Sequence, residues 1–198
     1  MRIAKILLIA LLFLTASCGD ASRNDQGVSF TFLGWFQDGT GDVGRTSFPP
    51  TPLADAAGIG LTAFAGLQNN LAGEFIRVNR VHHEYIIPGA DIAIPGTSVS
   101  AGGNIGPADI ENSNSTLPVT SAQESISFGE VFVVPLEIRE FLVLNRSSLP
   151  SLPFTMIVRS QAEGTTSGGR SLTSNFIEID VIFTSDVAIG DDTLIAGL

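Results

Sequence analysis

Between Phe154 and Phe183, two runs of alternating apolar residues flank a segment, Gly164 to Arg170, built almost wholly from turn formers. That arrangement predicts one long β-hairpin. Phe154, Met156 and Val158 fall on one face of the first arm, and Thr155 and Arg159 on the other; on the return arm Ile177, Ile179, Val181 and Phe183 alternate with Glu178 and Asp180. Successive side chains of a strand point to opposite sides, so each arm has a dry face and a wet face. Only Ile157 and Ile182 break the pattern. A hairpin with a single apolar face is not stable alone in water, and the rest of the chain has to supply a second sheet to cover it.

Further extended segments are available for that purpose. Val28, Phe30 and Phe32 alternate with Ser29 and Thr31 and predict a first strand ending near Gly34-Trp35-Phe36, with Trp35 packed beside Phe36. Ile59, Leu61, Ala63, Ala65 and Leu67 predict a second strand over 59–68. Phe75 to Ile87 follows, with Val81, His83, Tyr85 and Ile87 on one face, and Ser125 to Val134 resumes the pattern through Ile126, Phe128, Val131 and Val133. Gln37 to Pro52 reads as a long loop, because its prolines forbid a central strand. Ala90 to Ser125 is rich in Gly, Ser, Asn and Pro, and its apolar islands Ile92–Ile94 and Leu117–Val119 suit short edge strands between surface loops. Leu136 to Leu144 alternates at first like a strand, but Pro135 suits the first position of a helix and Glu137 and Glu140 its opening turns, so a short helix is expected. Together these segments predict an all-β chain: an immunoglobulin-like antiparallel β-sandwich of about seven strands, with a β-barrel as the alternative. The cysteine and tryptophan pattern of antibody domains is missing, so the likeness covers architecture only.

The first residues carry an address. Arg2 and Lys5 precede an uninterrupted apolar run, Ile6 to Leu14, which leads into Leu14-Thr15-Ala16-Ser17-Cys18. This is the layout of a secretory signal peptide, and the run is shorter than the ~20 residues a membrane-crossing helix needs. Cys18 is the sole cysteine of the chain. Small and apolar residues at the three positions before it resemble the lipobox of bacterial lipoprotein precursors. The resemblance implies that Cys18 is the lipidation site, becomes the mature N-terminus, and carries diacylglycerol on its sulfur plus an amide-linked acyl chain such as palmitate. Gly19 rather than Asp after the cysteine resembles the pattern of lipoproteins sent to the outer membrane. The chain then divides into a lipoprotein signal peptide (1–17), the lipidated cysteine and a flexible tether (18–27), a single β-sandwich domain (28–184) and a C-terminal tail (185–198).

Removal of residues 1–17 leaves eight arginines and no lysine against 20 acidic residues, a formal charge of −12. Nucleic-acid binding needs a basic stripe, which such a chain does not have, and anionic head groups would repel it. Membrane attachment therefore falls to the lipid, and the expected partners are the membrane itself and an envelope protein or glycan.

Catalytic and metal-binding patterns are weak. Asp38 and Asp42 stand on a glycine-rich turn, Asp38-Gly39-Thr40-Gly41-Asp42, where hard cations could find oxygens, yet Asp-Gly is also ordinary turn chemistry. The two histidines, His82 and His83, are neighbours on an expected strand, so they face opposite ways and cannot hold one ion; His83 is expected half-buried and His82 exposed. A Ser-His-Asp site lacks its GxSxG elbow. Glu137 and Glu140, or Asp38 and Asp42, could serve a carboxylate-dependent hydrolase, but such pairs abound in any acidic chain. The leading expectation is a lipid-anchored binding or structural module of the cell envelope without catalytic residues, metal or cofactor. The alternatives are an exported carboxylate-dependent hydrolase and a carrier of apolar ligands.

Overall fold

The computed structural model describes residues 29–54, 59–108 and 125–185. The expectations for the signal peptide, Cys18, the tether, the Leu117–Val119 island and the tail beyond Ser185 fall outside those residues. In chain order the elements are β1 (Phe30–Phe36), β2 (Gly44–Arg45), β3 (Thr51–Pro52), β4 (Leu61–Asn69), β5 (Ile76–Ile86), β6 (Thr97–Ile105), β7 (Ile126–Val134), α1 (Leu136–Leu144), a 3-10 turn (Arg146–Ser148), β8 (Phe154–Thr166), β9 (Ser171–Thr173) and β10 (Ile177–Thr184). Seven of these ten strands have seven or more residues. The strands form two sheets, ordered β2-β1-β4-β7 and β3-β10-β8-β5-β6, with β9 pairing to the far end of β8. The chain is thus all-β, with two sheets of which one curls into a half-barrel.

The hairpin forms with the expected faces turned inward and outward. Phe154 pairs with Phe183, Met156 with Val181 and Val158 with Ile179. All six are buried, whereas Glu178 and Asp180 are exposed. Against them the other sheet brings Phe30, Phe32 and Trp35 from β1 and the small Ala63 and Ala65 from β4. Alternating large and small residues across facing sheets lets the layers interdigitate, and each fully buried Phe or Ile contributes about 1.5–3 kcal/mol.

Two details of the hairpin depart from the sequence reading. First, Gly164 is not part of the turn: β8 runs on to Thr166, and Gly164 is a buried strand residue. A Cβ there would lie 2.7 Å from Ile76 Cγ2 and 3.4 Å from the Phe30 ring, so only glycine lets β1 and β5 pack this closely. Second, the return arm is split into β9 and β10, because residues 174–176 swing toward the opposite sheet. Ser174 Oγ accepts the Ala162 N–H at 2.9 Å, and the Asn175 amide both accepts from Phe32 N at 2.8 Å and donates to Phe32 O at 3.1 Å. That amide stands in for a strand at the bulge of β1 between Phe32 and Gly34. The bulge, with Gly34 at φ 152°, shifts the alternation by one so that Trp35 follows Phe30 and Phe32 into the core. Trp35 packs edge-on against Phe32, ring centres 5.0 Å apart, rather than beside Phe36.

Elsewhere the loop over 37–52 contains two short strands, and β3 joins β10 in a parallel pair. Pro52 is tolerated there because β3 is an edge. The edge strand expected near Ile92–Ile94 lies instead at β6, a stretch of Ser, Gly and Ala with little strand propensity; Ile92 and Ile94 pack against the core from a loop. Ile59 is no strand residue and is 59% exposed. The helix is present as α1, with Pro135 at its N-cap, in extended backbone, rather than at its first position. β6 and β7 are edge strands of the two sheets, and between them lies a void of about 140 Å³ lined by Ala65, Val78, Ala101 and Val131.

Gly164→Ala should cost about 1–3 kcal/mol from overpacking, read as a lower urea midpoint. Gly102→Ala, at a position with no atom within 4 Å of the new Cβ, should leave the midpoint nearly unchanged.

Candidate functional site

The strand alternation sends the two histidines to opposite faces, as their adjacency requires. His82 is half-buried on the outer face, with Nε2 3.0 Å from Glu163 Oε2, and Arg80 Nε lies 3.6 Å from the same oxygen. His83 is not half-buried but wholly inside, 1% exposed. Its Nδ1 is 2.8 Å from Ser160 Oγ, and its ring lies 6.1 Å from Trp35 and 6.3 Å from Tyr85, centre to centre. Nε2 has no hydrogen-bond partner among the described residues. Burial pushes the imidazole down to about 4, against a weaker upward pull from the Phe132 backbone. A serine and a histidine therefore touch, but both are buried, and among the described residues no carboxylate is hydrogen-bonded to the His83 ring. Tyr85 extends the same polar seam, sharing a hydrogen bond of 2.6 Å with Thr97 Oγ1 and donating to Val133 O at 3.2 Å. Burial raises its phenol well above the ordinary value. These groups tie β5 to β8, β7 and the start of β6; their role is cohesion.

Asp38 is spent on its own turn. Its Oδ1 accepts the Thr40 hydroxyl at 2.6 Å and the Thr40 N–H at 3.0 Å, and these bonds hold the carboxyl below its ordinary value. The Asp42 N–H donates to Thr40 Oγ1 at 3.4 Å. Gly41 has φ 77°, and a Cβ there would sit 2.1 Å from the Phe128 ring, so the loop folds tightly over that aromatic. Among the described residues, no group of three or more His, Cys, Asp or Glu could hold a metal ion.

The most unusual surface is at the α1 end of the sandwich. Pro135 stops β7, and α1 crosses the end of the sheets with Ile138, Arg139 and Leu142 inward. The guanidinium of Arg139 donates to Ile59 O at 2.6 Å, Pro52 O at 2.7 Å and Leu53 O at 3.4 Å, which pins the helix over the β3–β4 connection. Gly60 allows the same closeness on the other side: a Cβ there would meet Val134 O at 2.8 Å. With its inner face filled, the helix still has apolar residues left over. Leu136, Val143 and Leu144 are exposed, as are Phe132 and Ile59 beside them. Five of the ten exposed large apolar side chains among the described residues are thus gathered at one end. They line two clefts that share Leu136. One, of about 530 Å³, is bordered by Ile59, Val99, Phe132 and Glu137; the other, of about 420 Å³, by Leu53, Val143, Leu144 and Glu140. Each glutamate opens on a different cleft, so neither cleft gathers the pair.

The sequence reading named Glu137 and Glu140 but missed the patch around them. Its signal was present: a nine-residue helix apolar on more than the one stripe that a sheet can cover. Arg139 was missed too, because its carbonyl partners are more than 70 residues away in sequence. The chain matches no protein-family model and no curated protein at a significant level.

The buried His83 gives the fold an acid limit. It is neutral inside with a folded value near 4 against an ordinary 6.5, so the unfolded chain binds the proton first. The stability present above pH 6.5 falls as the pH drops toward 4. By pH 5 the loss should be about 2 kcal/mol, measured as the excess shift in urea midpoint of the wild-type protein over His83→Gln between pH 7 and pH 5.

Proposed function

We propose that this protein is a lipid-anchored binding module of the cell envelope. The observation that carries the reading is the concentration of exposed apolar side chains around α1, at the end of the sandwich opposite the entry of β1. Phe30 pairs with Asn69 and Val134 with Leu61, so the entry of β1 and the start of α1 lie at opposite ends of β4, roughly 25 Å apart at ~3.3 Å per residue. Contiguous apolar surface on a soluble domain marks a place where something else sits. The lone cysteine behind an apolar run supplies the anchor, since attached acyl chains hold a protein to a bilayer at ~0.8 kcal/mol per buried methylene. Among the described residues no helix is long and apolar enough to cross a membrane.

A hydrolase reading has less behind it, because Asp38 serves its turn and Glu137 and Glu140 open on separate clefts. A ligand carrier would use the same clefts, but their walls are themselves substantially exposed, which suits a docked surface better than an enclosed molecule.

Cys18→Ala should move the protein from the membrane pellet to a soluble or uncleaved form and abolish incorporation of labelled palmitate. Palmitate label that persists in the variant would contradict the anchor.

A further inference from the structure

We propose that the α1 end docks a polypeptide segment in which apolar side chains are flanked by lysine or arginine. This rests on the binding-module reading above and names the partner's chemistry. Both clefts have apolar floors on either side of Leu136, and each has one exposed glutamate at its rim, Glu137 for one and Glu140 for the other. Three residues apart on a helix, Glu137 and Glu140 have Cβ atoms ≈ 5–6 Å from each other, so each cleft has a negative charge at its rim on the same side of α1. Among the described residues, the only cation that lines either cleft is Arg139, which is 3% exposed and turns its guanidinium inward onto backbone carbonyls. It leaves those charges unbalanced at the surface. An apolar segment with cations beside it satisfies both features at once.

Charge also decides between the possible occupants. A second copy would bring glutamate against glutamate, on a mature chain with no lysine and a formal charge of −12. The chain's own residues 186–198 contain apolar side chains, but their charged residues are Asp186, Asp191 and Asp192, with no cation among them. An anionic membrane surface is repelled for the same reason. A separate basic and apolar segment is the occupant that the surface complements.

The test uses the full chain reconstituted in phosphatidylcholine vesicles and a short labelled peptide of alternating leucine and lysine, with a leucine–glutamate peptide as its counterpart. The lysine peptide should bind saturably, and the glutamate peptide at least about tenfold more weakly. Glu137→Gln with Glu140→Gln, and separately Leu144→Ser at a position 84% exposed, should each weaken binding by about tenfold. Glu178→Gln with Asp180→Asn makes the same charge change on the outer face of β10 and should leave binding within about twofold. Equal effects of the two double variants would overturn the proposal, as would no binding. Binding that appears only after residues 186–198 are removed would assign the clefts to the chain's own segment. A concentration-dependent dimer abolished by Leu144→Ser would assign them to a second copy. Either result also overturns the proposal. Cys18→Ala should bind the peptide as the wild type does, so loss of membrane attachment and loss of this partner class are read separately.

Discussion

Strand β8 is what the rest of the structure depends on. Its thirteen residues alternate without a slip, and every second side chain from Phe154 to Thr166 is buried. It pairs with β5 along one edge and with β10 and β9 along the other. Its inner face therefore sets the level at which the facing sheet must lie. That face changes along its length from large to small: Phe154, Met156 and Val158 at one end, then Ser160, Ala162 and Gly164. Where it is large, the end of β10 adds Val181 and Phe183; where it is small, the opposite sheet leans in with Phe30 against Gly164. His83 fits over Ser160 because that stretch has room and a hydroxyl to meet it.

The two sheets are closed in different ways at their borders, and this explains where the apolar surplus accumulates. Along one side, side-chain amides replace missing ladder bonds. Asn175 completes β1 across the gap, and Asn69 donates to Glu74 O at 2.6 Å and Gly106 O at 2.8 Å while accepting from Leu71 N at 2.9 Å. Buried backbone groups are costly to leave unmet, at about 1–3 kcal/mol each, so one well-placed amide can fix several segments at once. At the α1 end, Arg139 does the same for the carbonyls of Ile59, Pro52 and Leu53. Capping that end with a helix covers the sheets with one face only, and the remaining apolar residues of α1 face outward with Ile59 and Phe132.

The parts of this architecture that follow from side-chain alternation were legible before any coordinates. The β8–β10 hairpin, the inward set Val81, His83, Tyr85 and Ile87, the strand through Val131 and Val133, and the short helix after Pro135 all obey local patterns. β6 was not legible, because Thr97-Ser98-Val99-Ser100-Ala101-Gly102-Gly103 forms a strand only by pairing with β5, and its own residues have little preference for that state. Trp35 was placed beside Phe36, whereas the bulge at Gly34 turns it inward onto Phe32. Asn69, Asn175 and Arg139 were invisible for another reason: each acts on backbone from distant segments, 143 residues away for Asn175 and Phe32, and nothing in the local sequence records such a bond. The candidate site shares that difficulty. Its residues come from the β3–β4 connection, β7 and both ends of α1, and their exposure is decided by which face of the helix the sheets leave uncovered.

On the proposed reading, the apolar α1 end is covered in the cell by another molecule and bare in the isolated protein. Radical footprinting of the full chain in intact cells and after purification measures this directly. Leu144, Phe132 and Ile59 should be labelled strongly in the purified protein and several-fold less in cells, while the exposed Phe75 and Phe176 are labelled alike in both. Equal labelling of Leu144 and Phe132 in the two states, whether high or low, would contradict the account.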